Sequence, residues 1–126
     1  MPDKAHTMGC ASAPSPTGPY SMGRRMPECS RISPSVFRDD DGTTYFVWGQ
    51  TRLHGAVLKD DYSGFVPGSL QDVIIDENRH YFHETIQLTK RNGIYYMVYA
   101  TTRNGVPTSL GYSTAEKPFG PTPTGA

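Results

Sequence analysis

Glu84 is the residue of this chain most in need of a chemical reason. It stands near the start of YFHETIQLTKRNGIYYMVYAT, Tyr81 to Thr101, where two apolar runs flank Asn92-Gly93. Asn-Gly between such runs is a strong hairpin signal, so Glu84 falls at the start of a mostly buried strand. Charged side chains are rarely buried unless paired or functional. A carboxyl there can act as a general acid if burial or a nearby negative charge keeps it protonated near neutral pH. The plainer reading is an exposed glutamate at a strand edge.

Its neighbours His80 and His83 raise the question of a zinc site. The known helical zinc motifs put two ligands on one helix face. Here the segment is predicted to be extended, and adjacent His83 and Glu84 are expected to point to opposite faces. That argues against zinc and leaves His83 as a pocket-rim residue. Asp39, Asp40 and Asp41 precede Gly42 and invite a calcium reading. The ligand ladder of an EF-hand is missing, so they read as a solvated turn with Asx bonds to the backbone. Ser33 precedes Pro34, a position that favours extended backbone; the sharper alternative is a pocket hydroxyl that bonds a ligand. Tyr45, Trp48, Tyr95, Tyr96 and Tyr99 are mid-strand and read as packing rather than as ligand-stacking platforms.

The elements that must position these residues repeat. With Asp41-Gly42 placed over Asn92-Gly93, an offset of 51 residues, Phe37 falls on Leu88, Tyr45 on Tyr96, Val47 on Val98 and Ser33 on Glu84. Gly9 to Pro19 lies over Gly111 to Pro121 at 102 residues, twice that offset. A period near fifty points to propeller blades or another stacked array. The Gly-Gly doublet of kelch repeats and the Trp-Asp of WD40 repeats are both absent.

In order, residues 1–30 carry a short strand, His6 to Ser12, a Pro- and Gly-rich turn, and a loop from Ser21 to Ser30. Residues 31–80 read as one full blade with strands Ser35 to Arg38, Thr43 to Gly49, Leu53 to Lys59 and Leu70 to Asp76. Residues 81–126 repeat the first three, as His83 to Lys90, Ile94 to Thr101 and Thr108 to Thr114, and end in an uninformative tail. Apolar side chains at consecutive positions in Thr43 to Gly49 suit a sheet covered on both faces. Four antiparallel strands per unit is the propeller blade.

Bulk properties narrow the field. A chain of 126 residues with 36% hydrophobic and 19% charged residues is globular. Zero formal net charge argues against nucleic acid or an anionic membrane as main partner. Cys10 and Cys29 have no zinc-type spacing and read as incidental thiols. The first twenty residues hold no signal-peptide core, and no stretch is long enough to span a bilayer. The repeat phasing, with the chain opening late in a blade, is expected of a piece of a longer protein.

Several segments now resemble a known family. IxPSVFRDDDGTTYFVWGQ, Ile32 to Gln50, is similar to the second-blade signature of glycoside hydrolase family 43. FHETIQLTKRNGIYYMVYA, Phe82 to Ala100, resembles its third-blade segment. GYSTAEKPFGP and CASAPSPTGPY resemble its recurring blade-end motif. The resemblance implies an all-β, partial five-bladed propeller. It also implies inverting hydrolysis of β-xylosidic or α-L-arabinofuranosidic bonds in plant cell-wall polysaccharides or their oligosaccharides.

By the same resemblance Glu84 matches the general acid, and Ser33 occupies the place of an Asp that tunes its pKa. Ile32, Ser33 and His83 fall at substrate-binding positions. The general base is expected before Met1, and no metal ligand or cofactor is expected in this chain, although the full propeller can carry a central calcium. The expected partner is an oligosaccharide or polysaccharide. The alternatives are a non-catalytic carbohydrate-binding remnant, which Ser33 favours, and an inert truncation product.

Little more than two blades leave repeat faces uncovered, since a stack needs about three units to bury them. Self-association through exposed blade faces is therefore expected. Size-exclusion chromatography with light scattering checks this, and a monodisperse monomer that melts sharply would count against it.

Overall fold

The computed structural model describes residues 7–21, 23–30, 32–103 and 106–120. In chain order they form β1 (Thr7–Cys10), β2 (Arg24–Ser30), β3 (Ser35–Arg38), β4 (Thr44–Gln50), β5 (Arg52–Leu58), α1 (Glu77–His80), β6 (Phe82–Arg91), β7 (Ile94–Arg103) and β8 (Val106–Ala115). The sheets are β1-β2, β3-β4-β5 and β6-β7-β8, each antiparallel. The two hairpins expected from Asp-Gly and Asn-Gly are present. Asn92 and Gly93 both have positive φ, 52° and 79°, as the primed hairpin turn requires.

Three sequence expectations are corrected. Residues 24–30, expected as loop, form β2, because antiparallel pairing with β1 supplies partners for a segment of weak strand propensity. Leu70 to Asp76, expected as a fourth strand, makes only isolated bridges to β5, Gly55 with Gln71 and Arg52 with Asp76. Gln71 bonds Gly55 in both directions, whereas Leu53 bonds both Ile74 and Ile75. The outer segment thus carries extra residues between its bridges, and a regular ladder cannot form. The single turn of α1 had no counterpart in the sequence reading. Four residues are too few to show a helical period.

Burial explains the continuous apolar run of β4. Successive side chains of a strand alternate between faces. Phe46 and Trp48 enter one cluster with Met26, Ala56 and Leu58, against which Met8 and the free thiol of Cys10 pack. Val47 joins the other, with Leu53, Ile75, Phe82, Ile86, Leu88, Met97 and Tyr99. The β3-β4-β5 sheet is thus covered on both sides, by β1-β2 and by β6-β7-β8. Rings tighten both clusters: Phe65 stacks on Trp48 at 5.5 Å, and Phe82 meets Tyr99 edge-on at 5.5 Å. Such pairs add about 1 kcal/mol each beyond area burial. Trp48, Tyr95 and Tyr99 are buried. The far face of β6-β7-β8 is different, since Val98 and its cross-strand partner Tyr112, with Leu110, remain exposed.

The acidic turn is only partly a solvated one. Asp41 Oδ1 accepts the Thr43 N–H at 2.9 Å in the expected Asx manner. Asp39, however, is buried and joins two sheets. It accepts from the Tyr95 hydroxyl, from Lys90 Nζ at 3.1 Å and from the Asp40 N–H at 2.8 Å. Lys90 also reaches Asp40 Oδ2 at 3.2 Å. Asp39 and Lys90 are 51 residues apart, so equivalent positions of successive repeats are paired. Burial pushes the Asp39 carboxyl up. Hydrogen bonds from Tyr95, Asp40 and Lys90, with the Lys90 charge, outweigh it and hold the carboxyl below its ordinary value. Hydrogen bonds to Asp39 and Asp40 raise Lys90 well above the usual ammonium range.

Asp39→Ala would strand the buried Tyr95 hydroxyl and is expected to cost about 2 kcal/mol, measured by chemical denaturation. Because the folded carboxyl titrates below its unfolded value of about 4, its contribution is present above that pH and is lost as pH falls through the folded value. Asp39→Asn should flatten this acid-side loss, and an unchanged profile would exclude Asp39 as its source.

Candidate active site

Glu84 is placed by an irregularity in β6. The register runs Phe82 to Thr101, Glu84 to Ala100 and Ile86 to Tyr99, with a shift on either side of Glu84. Thr85 takes φ 60°, uncommon for a β-branched residue. Bulges of this kind re-aim side chains and recur next to active sites. The expectation that His83 and Glu84 face opposite ways is overturned for the same reason, since alternation holds only in a regular strand. His83 Nε2 lies 3.9 Å from Glu84 Oε1.

The other carboxyl oxygen is met from the neighbouring sheet. Gln50, the last residue of β4, donates from Nε2 to Glu84 Oε2 at 3.4 Å. Glu84 is thus neither lost in the core nor free at a rim: its side chain is 33% exposed and is held on one side by Gln50. Gln50 can reach because Gly49 makes a turn that a side chain would block. Gly49 has φ 141°, and a Cβ there would stand 2.0 Å from the Arg52 carbonyl oxygen. The Gly49 N–H also donates to the Ile32 carbonyl at 2.9 Å, which brings the chain just before β3 beside Gln50. Ile32 and Ser33 are half-buried there. Ser33 has φ 63°, not the extended backbone expected before proline.

Thr51, itself at φ 62°, clasps the site through its main chain. Its N–H donates to the His83 carbonyl at 2.7 Å, and its carbonyl accepts the Glu77 N–H at 2.9 Å. Glu77 opens α1, which Asp76 caps by accepting from the Arg79 N–H at 2.7 Å. Glu77 Oε2 then lies 3.8 Å from His83 Nδ1. His80 is buried, and its carbonyl accepts the Tyr99 hydroxyl at 2.8 Å. His80 and His83 therefore serve different surroundings. Among the described residues no group of three His, Cys, Asp or Glu could hold a metal ion. An open cleft of about 420 Å³ lies at the other end of β4 and β5, between Asp41, Thr44, Leu58 and Lys59, away from Glu84.

Sequence reasoning had brought out Glu84, His83, Ser33 and Ile32 but missed Gln50, Thr51 and Glu77. Gln50 carries no local signal. Glu77 had one: an Asp cap, an acid in the first turn and bases in the last mark even a short helix.

The stacked antiparallel sheets are blades of a β-propeller, a fold shared with solved family 43 structures. The chain aligns with an endo-1,4-beta-xylanase from Bacteroides thetaiotaomicron at TM-score 0.69 and 26% identity, covering 90% of this chain and 43% of that one. CoXyl43, a GH43 beta-xylosidase/alpha-arabinofuranosidase from a compost microbial metagenome solved with xylotriose in a calcium-free form, matches at TM-score 0.75 and 24% identity, covering 92% and 47%. The GH43_1 enzyme from Xanthomonas citri, complexed with xylotriose, matches at TM-score 0.79 and 21% identity, covering 94% and 46%. The chain spans less than half the length of each. No curated protein sequence matches significantly. Residues 2–125 match Glycosyl hydrolases family 43, and the chain belongs to that family.

The cap is the part of this framework most open to test. Burial raises the Asp76 carboxyl, but the Arg79 N–H and guanidinium bonds and the Arg79 charge outweigh it and hold it below its usual value. Asp76→Ala is expected to cost about 1 kcal/mol, as loss of an N-cap does. That increment should be present above about pH 4 and should vanish as pH falls through the folded value. Thermal melts of the parent and variant across the acid range measure it.

Proposed function

We infer that this chain is the acid-bearing part of an inverting glycosidase that cleaves β-xylosidic or α-L-arabinofuranosidic bonds, with Glu84 as general acid. The observation that supports this best is the placement of Glu84 in a family 43 chain: one-third exposed on a bulged strand start, with one oxygen held by Gln50 from the adjacent sheet. Inverting hydrolysis requires an acid that protonates the departing glycosidic oxygen. It also requires a base, about 6.5–9.5 Å away, that activates water on the opposite face of the sugar. Glu84 answers the first need, and the base is assigned to no residue of this chain. Ile32 and Ser33, brought beside Gln50 by the bond between Gly49 and Ile32, form the adjoining wall of the sugar site, and His83 completes its rim. The far face of β6-β7-β8, with exposed Val98, Leu110 and Tyr112, is the surface through which the chain associates with itself.

Ser33 favours a second reading, sugar binding without turnover. A hydroxyl at the place of the family's tuning Asp supplies no charge to keep Glu84 protonated.

Hydrolysis of 4-nitrophenyl β-xyloside and 4-nitrophenyl α-L-arabinofuranoside by the purified chain separates the readings. With the base assigned to no residue of this chain, the chain alone is expected to be weakly active or inactive. Turnover by a site completed through self-association should fall about 10²–10⁴-fold in Glu84→Gln on xylotriose, whose leaving oxygen needs the proton, and less on the aryl glycosides, and should rise in Ser33→Asp. Turnover that is lost in Glu84→Gln excludes the second reading, whereas xylotriose binding without turnover in the parent or in Ser33→Asp fits both sugar binding alone and a chain that lacks its base.

A further inference from the structure

His83 stands between two carboxyl groups from different elements. Its Nδ1 faces Glu77 Oε2 of α1 at 3.8 Å, and its Nε2 faces Glu84 Oε1 of β6 at 3.9 Å. The side chain is only 19% exposed, and Nδ1 is enclosed with no hydrogen-bond partner. Leaving a buried polar nitrogen unpaired is costly. The Glu77 oxygen is the acceptor in reach, about 1 Å beyond hydrogen-bond distance. Bonds in catalytic sites are often long until substrate is present.

The chemistry of the ring decides the rest. Neutral imidazole donates through one nitrogen and accepts through the other, and the partner of one nitrogen sets the tautomer. A carboxylate facing Nδ1 calls for the proton on Nδ1. Nε2 then presents a lone pair to Glu84 Oε1. On the other side Gln50 presents an N–H to Glu84 Oε2. An acceptor at one oxygen and a donor at the other match a protonated carboxyl group, whose hydroxyl lies on Oε1 and whose carbonyl oxygen is Oε2. Three chain segments enforce this geometry. Thr51 bonds both the His83 carbonyl and the Glu77 N–H, which fixes α1 and the β6 bulge relative to one another, and Gln50 is its immediate neighbour.

We propose that His83 is a positioning residue for Glu84: with its proton on Nδ1 toward Glu77, it turns the Nε2 lone pair to Glu84 and, together with Gln50, sets which carboxyl oxygen carries the acid proton. This rests on the reading of Glu84 as the general acid. It also gives Glu77 a part, that of fixing the tautomer, comparable to the carboxylate that orients a histidine elsewhere.

Long-range ¹H–¹⁵N NMR of the intact chain labelled in histidine tests this on native side chains, so the first result does not depend on any variant folding. At pH 7 the expected spectrum has His83 protonated on Nδ1 and an Nε2 resonance in the unprotonated range. Glu84→Gln is expected to shift the Nε2 resonance. A proton on Nε2, a doubly protonated ring, or an Nε2 resonance indifferent to Glu84→Gln overturns the proposal. The readout is independent of turnover: a chain with this pattern keeps the positioning role of His83 whether or not it hydrolyses either glycoside.

Discussion

The packing of one blade face on the next is what the candidate site depends on. Gln50 ends a strand of the β3-β4-β5 sheet and Glu84 begins a strand of β6-β7-β8. They meet because Val47 and Leu53 from one sheet interlock with Phe82, Ile86 and Tyr99 from the other. The stack is non-directional hydrophobic burial, and burial alone would tolerate sliding of one sheet over the other. Register comes from polar groups at the two ends of the interface. At one end Asp39 takes Lys90 and Tyr95; at the other Thr51 takes His83 and Glu77.

This division of labour places strain around the candidate site. Among the non-glycine residues at positive φ, Ser33, Thr51, Tyr81 and Thr85 all stand at or next to the site. Such conformations cost of order 1–3 kcal/mol each and persist when the surroundings over-determine them. Here main-chain bonds do so. Thr51 is used through both its N–H and its carbonyl, and Tyr81 through the bond from its N–H to Glu77 and the bond its carbonyl accepts from Thr102. At the opposite end glycine or asparagine takes the left-handed positions of the two hairpins, at Gly42, Asn92 and Gly93, and Tyr62 is the exception in the turn after β5.

Much of this was legible in the residues. Asp41-Gly42 and Asn92-Gly93 specify their hairpins by local steric preference, which needs no tertiary context. The 51-residue period and the unbroken apolar run of β4 imply a sheet covered on both faces, because alternation forces consecutive apolar residues to opposite sides. Glu84 stood out because a carboxyl so near a buried strand is costly without a reason. The all-β class thus follows from periodicity and turn chemistry, and the cost of buried charge is what singles out Glu84 as a candidate.

Tertiary structure decided the rest, because those features depend on partners distant in sequence. No local signal distinguishes Asp39 from Asp40 and Asp41, yet only Asp39 is buried, where it meets both Lys90 and Tyr95. The β6 bulge that sets His83 beside Glu84 arises in pairing with β7, and strand periodicity predicts the opposite arrangement. β2 exists through its pairing with β1, and Gln50 gains its role only when two sheets pack. The sequence by itself determined the two hairpins, the repeat and which carboxyl is worth explaining. The fold decided what surrounds that carboxyl, because the interactions that orient it cross from one sheet to the next.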